Sequence, residues 1–232
     1  MSFITENVRA ARSRIAEAAA EVGRDPSAVR LLAATKMNPP EAVREAIAAG
    51  VDVCAENRVQ EFLEKNAANA YAGCDVHFIG HLQRNKVKYL VGAVSLIHSV
   101  DSAELLREID RRAAALGLTQ DVLLEVNIGG EASKSGVSPD ALGELLVQAG
   151  EFPRARVVGL MTIPPAQTHS GENLNYFRRM YDLFVDIRRK KYNNVLMSEL
   201  SMGMSSDYAD AVRCGATIVR LGTALFGPRN YN

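Results

Sequence analysis

The densest grouping of chemically useful residues lies near the C-terminal end, in the run S-M-G-M-S-S-D-Y-A-D-A-V-R-C-G-A-T-I-V-R-L-G-T-A-L-F-G from Ser201 to Gly227. Ser201 and Ser205 supply hydroxyls ahead of a helix-like segment that begins at Ser206 or Asp207, and Gly222-Thr223 follows a short apolar strand. Backbone N–H groups at a helix start and in a glycine turn, with hydroxyls beside them, suit a phosphate without needing a large net charge. Arg220 closes the apolar strand. Its guanidinium can pair with the phosphate, or it can face the ring nitrogen of a pyridine cofactor, where a permanent cation disfavours protonation and weakens the ring as an electron sink. Far away in sequence, Lys36 ends the apolar run that starts at Val29. A lysine at the end of a buried strand is partly desolvated, which favours the neutral amine, a nucleophile towards carbonyl carbon. Asn57, in A-E-N-R-V-Q-E, can cap the helix that begins near Arg58 or face a ligand. His81, in F-I-G-H-L-Q-R-N-K, can act as a base, stack on a ring, or serve as a structural hydrogen-bonder.

These residues meet only if the intervening chain keeps returning its strand ends to one place. Apolar runs predict strands over 29–36, 51–56, 76–80, 94–99, 122–128, 157–163, 195–201 and 217–221. Between them, apolar residues at three- and four-residue spacing predict helices over 40–49, 58–69, 83–91, 102–116, 139–149, 173–191 and 207–214. Phe3 to Val22 forms one more amphipathic helix ahead of the first strand. Runs apolar on both faces that alternate with helices require a parallel sheet covered on both sides. Eight such units in a chain of 232 residues predict an α/β fold: a single (β/α)8 TIM barrel with an extra N-terminal helix. An open doubly wound sheet is the alternative, weakened because no Gly-x-Gly-x-x-Gly follows the first strand. In a barrel, ligands sit at the C-terminal strand ends, here Lys36, Glu56-Asn57, Gly80-His81, Ser99, Asn127, Thr162, Ser201 to Ser205, and Arg220 to Thr223. The phosphate-type chemistry falls after strands seven and eight, where barrels commonly place it. No linker or low-complexity tract divides the chain, so residues 1–232 are expected to form one domain.

Composition removes several other functions. Lys+Arg and Asp+Glu both total 27, so no global basic field draws the protein to nucleic acid or to an anionic membrane. The basic positions Arg84, Lys86, Lys88 and 188–191 read as solvated helix faces, and Lys134 as a solvated loop residue. Cys54, Cys74 and Cys214 lack any Cys-x-x-Cys spacing, and His77, His98 and His169 form no metal-ligand pattern, so neither a disulfide framework nor a metal is expected. No Ser-His-Asp elbow, carboxylate pair or Walker loop is readable, and no catalytic residue is assigned. With no leader-like start and no membrane-length apolar run, the protein is expected to be cytoplasmic.

Several segments together resemble a known family along almost the whole chain. They are L-L-A-A-T-K, A-E-N-R-V-Q-E, H-F-I-G-H-L-Q-R-N-K, V-N-I-G-G-E-A-S-K-S-G, G-L-M-T-I-P, S-M-G-M-S-S-D and T-I-V-R-L-G-T-A-L-F-G. The chain is similar in these to the pyridoxal phosphate homeostasis proteins, also called the YggS or PROSC family. The resemblance implies a barrel like the N-terminal domain of alanine racemase, carrying pyridoxal 5′-phosphate (PLP) as a Schiff base on Lys36. It also implies Ser201, Ser205, Gly222 and Thr223 around the phosphate and Arg220 facing the pyridine nitrogen; Asn57 and His81 are expected with them among the cofactor-binding residues. Ala55 and Arg58 depart from the family's commoner glycine and aromatic residue, which affects the Asn57 loop. Because the chain stops at Asn232, the second domain of the racemases is expected to be missing. The function implied is then PLP carriage and supply to dependent apoenzymes by a monomer, without catalysis; the alternative is a small PLP-dependent amino-acid racemase.

Overall fold

The computed structural model describes residues 2–166, 169 and 171–228. Eight parallel strands close into a barrel in sequence order. They are β1 (Arg30–Ala34), β2 (Val53–Glu56), β3 (Asp75–Phe78), β4 (Leu96–Val100), β5 (Gln120–Glu125), β6 (Ala155–Met161), β7 (Val195–Met204) and β8 (Ile218–Leu221). Closure comes from β8 pairing with β1, with Leu32 opposite Arg220 and Ala33 opposite Leu221. The ring has no unpaired edge, so every strand's backbone donors and acceptors find a neighbour on both sides.

The strand period of two divides the side chains into two cores. Leu32, Val53, Ala55, Leu96, Leu123, Val158, Met161 and Ile218 fill the barrel interior. Their neighbours Leu31, Ala33, Cys54, Val122, Leu124, Leu160 and Val219 face outward into the layer shared with the helices. That layer comprises α2 (Pro40–Ala48), α3 (Val59–Ala67), α4 (Ala103–Ala115), α5 (Leu142–Ala149), α6 (Leu174–Lys190) and α7 (Tyr208–Arg213). The extra helix α1 (Phe3–Ala20) buries Val8, Ala11, Ile15, Ala18 and Ala19, and Ser2 caps its start by accepting from the Thr5 amide. It packs on α2, α7 and α8 (Thr223–Phe226), and Asn7 donates to the Leu225 carbonyl.

Some boundaries differ from the sequence expectation, each for a local reason. The helix expected over 83–91 is a 3-10 helix, Arg84–Tyr89, because R-N-K-V-K-Y offers only Val87 to the core and so has no apolar stripe to hold an α-helix. Helix α5 starts at Leu142 rather than Pro139, since Ser138 Oγ accepts from the Ala141 amide and holds a turn there. Strand β7 runs on past Ser201 to Met204, which pairs with Arg220 after a register shift. The continuation depends on Gly203, at φ +91, where an added Cβ would lie 2.5 Å from Ala211 Cβ. The helix α8 after β8 was not expected from sequence. The three cysteines are free thiols; Cys54 is buried with Cys74 Sγ 3.8 Å away, and Cys214 is half-buried.

Candidate functional site

A cavity of about 470 Å³ opens at the C-terminal end of the barrel, where the inward-facing strand positions run out. Lys36, Asn57, Gly80, His81, Glu125, Ser205, Arg220, Gly222 and Thr223 contribute to its wall. Lys36 lies two residues past β1 on the inward parity of Leu32 and Ala34, and the backbone on either side of it is tied down. Thr35 donates its amide to the Ala55 carbonyl (2.9 Å) and its hydroxyl to Glu56 (2.6 Å). Lys65 Nζ donates to the Thr35 carbonyl (2.8 Å), and Glu61 accepts from the Met37 amide (2.8 Å). Met37 itself takes φ +61, so the chain turns sharply right after the lysine. An amine on so constrained a backbone is held towards the cavity with few arrangements to choose from.

Arg220 is 4% exposed and lies on β8 with Gly222 beyond it. Its Nη1 donates to Ser201 Oγ (2.7 Å) and its Nη2 to the Thr162 carbonyl (2.8 Å). Burial lowers it to about 10, opposed by Asp207 and Glu125, so it remains cationic at neutral pH. Ser201 continues the chain to His98 Nδ1 (3.0 Å), and His98 Nε2 lies 2.9 Å from His77 Nδ1. An assignment consistent with these three contacts runs one way: Arg220 donates to Ser201, Ser201 to His98, and His98 Nε2–H to His77. Burial, the first cause for both histidines, moves His77 down to about 3 and His98 well below the ordinary value, so both are neutral.

The rim beside Arg220 collects donors. Ser205 Oγ accepts from the amides of Gly222 (3.2 Å) and Ala224 (3.1 Å), so two N–H groups converge on one oxygen at the cavity edge. Ser206 and Thr223 add hydroxyls on the same rim. That is the donor set a phosphate requires. Across the mouth, Asn57 lines the same cavity, and its Oδ1 is buried with no hydrogen-bond partner, an acceptor left unsatisfied. Gly80 lets β3 end against the Asn57 loop, because a Cβ there would stand 2.1 Å from the Asn57 carbonyl oxygen. His81 is exposed at the lip, with Nδ1 3.5 Å from Ser135 Oγ.

Seven of the eight residues singled out from sequence therefore share one cavity: Lys36, Asn57, His81, Ser205, Arg220, Gly222 and Thr223. Ser201 does not line it. It is fully buried below the rim and holds Arg220 and His98, so its expected place at a phosphate is replaced by a supporting one. Glu56, read as part of the strand tip, faces the helix layer, where Lys65 (2.6 Å), Thr35 and Tyr71 (3.0 Å) meet its carboxylate. Asn127 and Thr162 also turn away: the first fastens its own loop to Glu131, the second donates to the Val126 carbonyl. Lys134, expected in solvent, pairs with Glu131 and donates to the Pro164 carbonyl. Sequence reading missed Glu125, Ser206 and the backbone amide of Ala224. A carboxylate interrupting the apolar run V-L-L-E-V was the signal for Glu125.

A closed parallel ring with an amine past its first strand and an anion rim after its last defines a barrel of the alanine racemase N-terminal class. The sequence matches the family model described as "Alanine racemase, N-terminal domain" over residues 4–230. Over 218 residues it is 48% identical to the pyridoxal phosphate homeostasis protein of Aquifex aeolicus, covering 94% of this chain and 95% of that one. The chain belongs to the pyridoxal phosphate homeostasis protein family. A solved structure of a protein from Bifidobacterium adolescentis is 37% identical, with a TM-score of 0.88 over 97% of this chain and 94% of that chain. PipY of Synechococcus elongatus, solved with PLP bound, is 36% identical, with a TM-score of 0.79 over 92% of this chain and all of that chain. Among the described residues no helix is long and apolar enough to cross a membrane.

Proposed function

We propose that the cavity holds PLP, that Lys36 carries it as a Schiff base, and that the protein stores and supplies the cofactor rather than turning over a substrate. The observation that carries this reading is the convergence of Lys36, Arg220 and the Ser205–Gly222–Ala224 rim on one cavity of about 470 Å³. In this reading Ser205, Gly222, Thr223 and the Ala224 amide hold the phosphate. Arg220 faces the ring nitrogen, Ser201 keeps the guanidinium in place, and Asn57 and His81 flank the ring. The residues fit the group on their own chemistry: an amine for the aldehyde, paired amides and hydroxyls for the phosphate ester, and the orphaned Asn57 Oδ1 for a donor.

When bound, PLP supplies an aldehyde and an electron-accepting ring. A buried guanidinium opposite the ring nitrogen disfavours ring protonation, which weakens the sink that carbanion chemistry needs. This supports storage over catalysis, with PLP-dependent apoenzymes as recipients and a cytoplasmic monomer, one domain, as the working form. Borohydride reduction of PLP-treated protein followed by peptide mapping tests the assignment. The cofactor is expected on Lys36; fixation elsewhere, or none, removes it. Exchange of the Cα proton with solvent deuterium across a panel of amino acids tests the storage reading. No exchange above that of free PLP is expected, and turnover at ordinary enzyme rates lost in Lys36→Ala establishes the racemase alternative.

A further inference from the structure

Two buried glutamates stand near the mouth, and they are treated in opposite ways. Glu56 is met by an ammonium, a hydroxyl and a phenol. Glu125, at the end of β5, has none of these. It is only 7% exposed, shares the inward parity of Leu123, and lines the cavity directly. Among the described residues its carboxyl has no hydrogen-bond or ion-pair partner in the protein, and its oxygens are not among the fully enclosed ones, so they open on the cavity. In the ring of eight, β5 lies opposite β1, so Glu125 and Lys36 occupy facing walls of the same cavity.

An uncompensated carboxyl in such a place is unfavourable for the empty protein. Burial first, and then the like charge of Asp101, push Glu125 up to about 7, with Arg220 opposing. Arg220 gives its hydrogen bonds to Ser201 and to the Thr162 carbonyl, and none of them reaches Glu125. A ligand bearing positive charge would relieve that carboxyl. No group of three or more metal-ligating side chains occurs among the described residues, so the cation that suits a single carboxyl here is an ammonium with its own hydrogen-bond donors.

We infer that Glu125 anchors a second subsite in the mouth, facing Lys36, that takes the ammonium group of a primary amine alongside the cofactor. The inference rests on the PLP reading above for its purpose: primary amines are the class of molecule that competes with a lysine for an aldehyde, so the subsite is where a PLP acceptor is received. Glu125 acts on the arriving amine, while Lys36 and the Ser205 rim act on the cofactor.

Two measurements test it. In PLP-free protein labelled with ¹³C at glutamate carboxyls, with the Glu125 signal assigned through Glu125→Gln, ethylammonium chloride is expected to give a saturable shift that sodium chloride at equal ionic strength does not. In PLP-loaded protein, Glu125→Gln is expected to raise the ethylamine concentration for half-maximal PLP release about tenfold, while the Kd for PLP moves less than about threefold. An unchanged half-maximal concentration overturns the inference. So does a parallel loss of PLP affinity, which makes Glu125 a cofactor contact, or an equal shift with sodium, which makes the site a general cation site. If neither protein takes up PLP on Lys36, the storage reading fails by itself, and the PLP-free titration still decides the subsite.

Discussion

At the scale of single residues, the proposed function gives Lys36 the aldehyde and Gly222 the phosphate of the cofactor. The hydrogen bonds that fix Lys36 belong to its neighbours, Thr35 and Met37, so removing its side chain leaves them intact. Lys36→Ala is therefore expected to change unfolding free energy by no more than about 0.5 kcal/mol in urea melts while abolishing borohydride-fixed cofactor. A variant that fails to fold places the lysine in the core instead of the mouth. Gly222 has room for a Cβ, whose nearest neighbour is the Ala34 carbonyl oxygen at 3.7 Å. The space a larger side chain fills is the rim itself. Gly222→Val is expected to weaken PLP at least tenfold, about 1.4 kcal/mol, with little change for pyridoxal, which lacks the phosphate. Equal losses for the two ligands, read by absorbance titration, contradict the phosphate assignment.

At the scale of elements, β2 and α3 work as a clamp on the turn that presents Lys36. Glu56, last residue of β2, accepts from Lys65 near the end of α3, and Lys65 also donates to the Thr35 carbonyl, directly before Lys36. Both partners are buried, and burial, the largest influence on Glu56, raises its proton affinity against the pull of Lys65. Breaking such a pair from one side strands a carboxylate in the helix layer. Lys65→Met is expected to destabilise the protein by about 3–5 kcal/mol, whereas Lys65→Met combined with Glu56→Gln recovers most of that loss. Chemical denaturation of both variants reads the difference; equal destabilisation would mean that the pair's attraction is not what holds α3 to β2. A second readout belongs to the same clamp: in Lys65→Met the rate of PLP attachment to Lys36 is expected to fall, because the Thr35 carbonyl loses its donor.

At the scale of the whole molecule, barrel closure brings two neutral histidines together in the interior, their rings tilted at 49° with centroids 5.0 Å apart. Their proton affinity is lowered by burial, and in the unfolded chain a histidine titrates near 6.5. Below that pH the unfolded state binds more protons than the folded one, so stability is present above pH 6.5 and is lost as pH falls towards the folded value of about 3 for His77. Each histidine contributes a slope of about 1.4 kcal/mol per pH unit near pH 5. His77→Asn, which keeps a polar partner for His98, is expected to reduce the slope of unfolding free energy against pH by about one proton's worth between pH 6 and pH 4. Identical slopes for the two proteins would show that His77 titrates alike in the folded and unfolded chains.

Local pattern in the sequence was enough for the architecture and for much of the mouth. Apolar runs and three-to-four-residue stripes are properties of consecutive residues, so the eight strands, the extra helix, and Lys36, Arg220 and Gly222 at strand ends were legible without coordinates. The wall each tip residue occupies was decided by tertiary structure. Neighbours in a strand face opposite ways, so an uncertainty of one residue at a strand end exchanges cavity for helix layer. That is why Glu56 and Asn57, adjacent in the chain, part company, and why Ser201 sits beneath Arg220 while Ser205 reaches the rim. Partnership across the ring lay further out of reach. The bond between His98 and Ser201 joins residues 103 apart, and Glu125 faces Lys36 only because eight strands close with β5 opposite β1. Such contacts depend on register and closure, which are relations between segments, and no segment carries them alone.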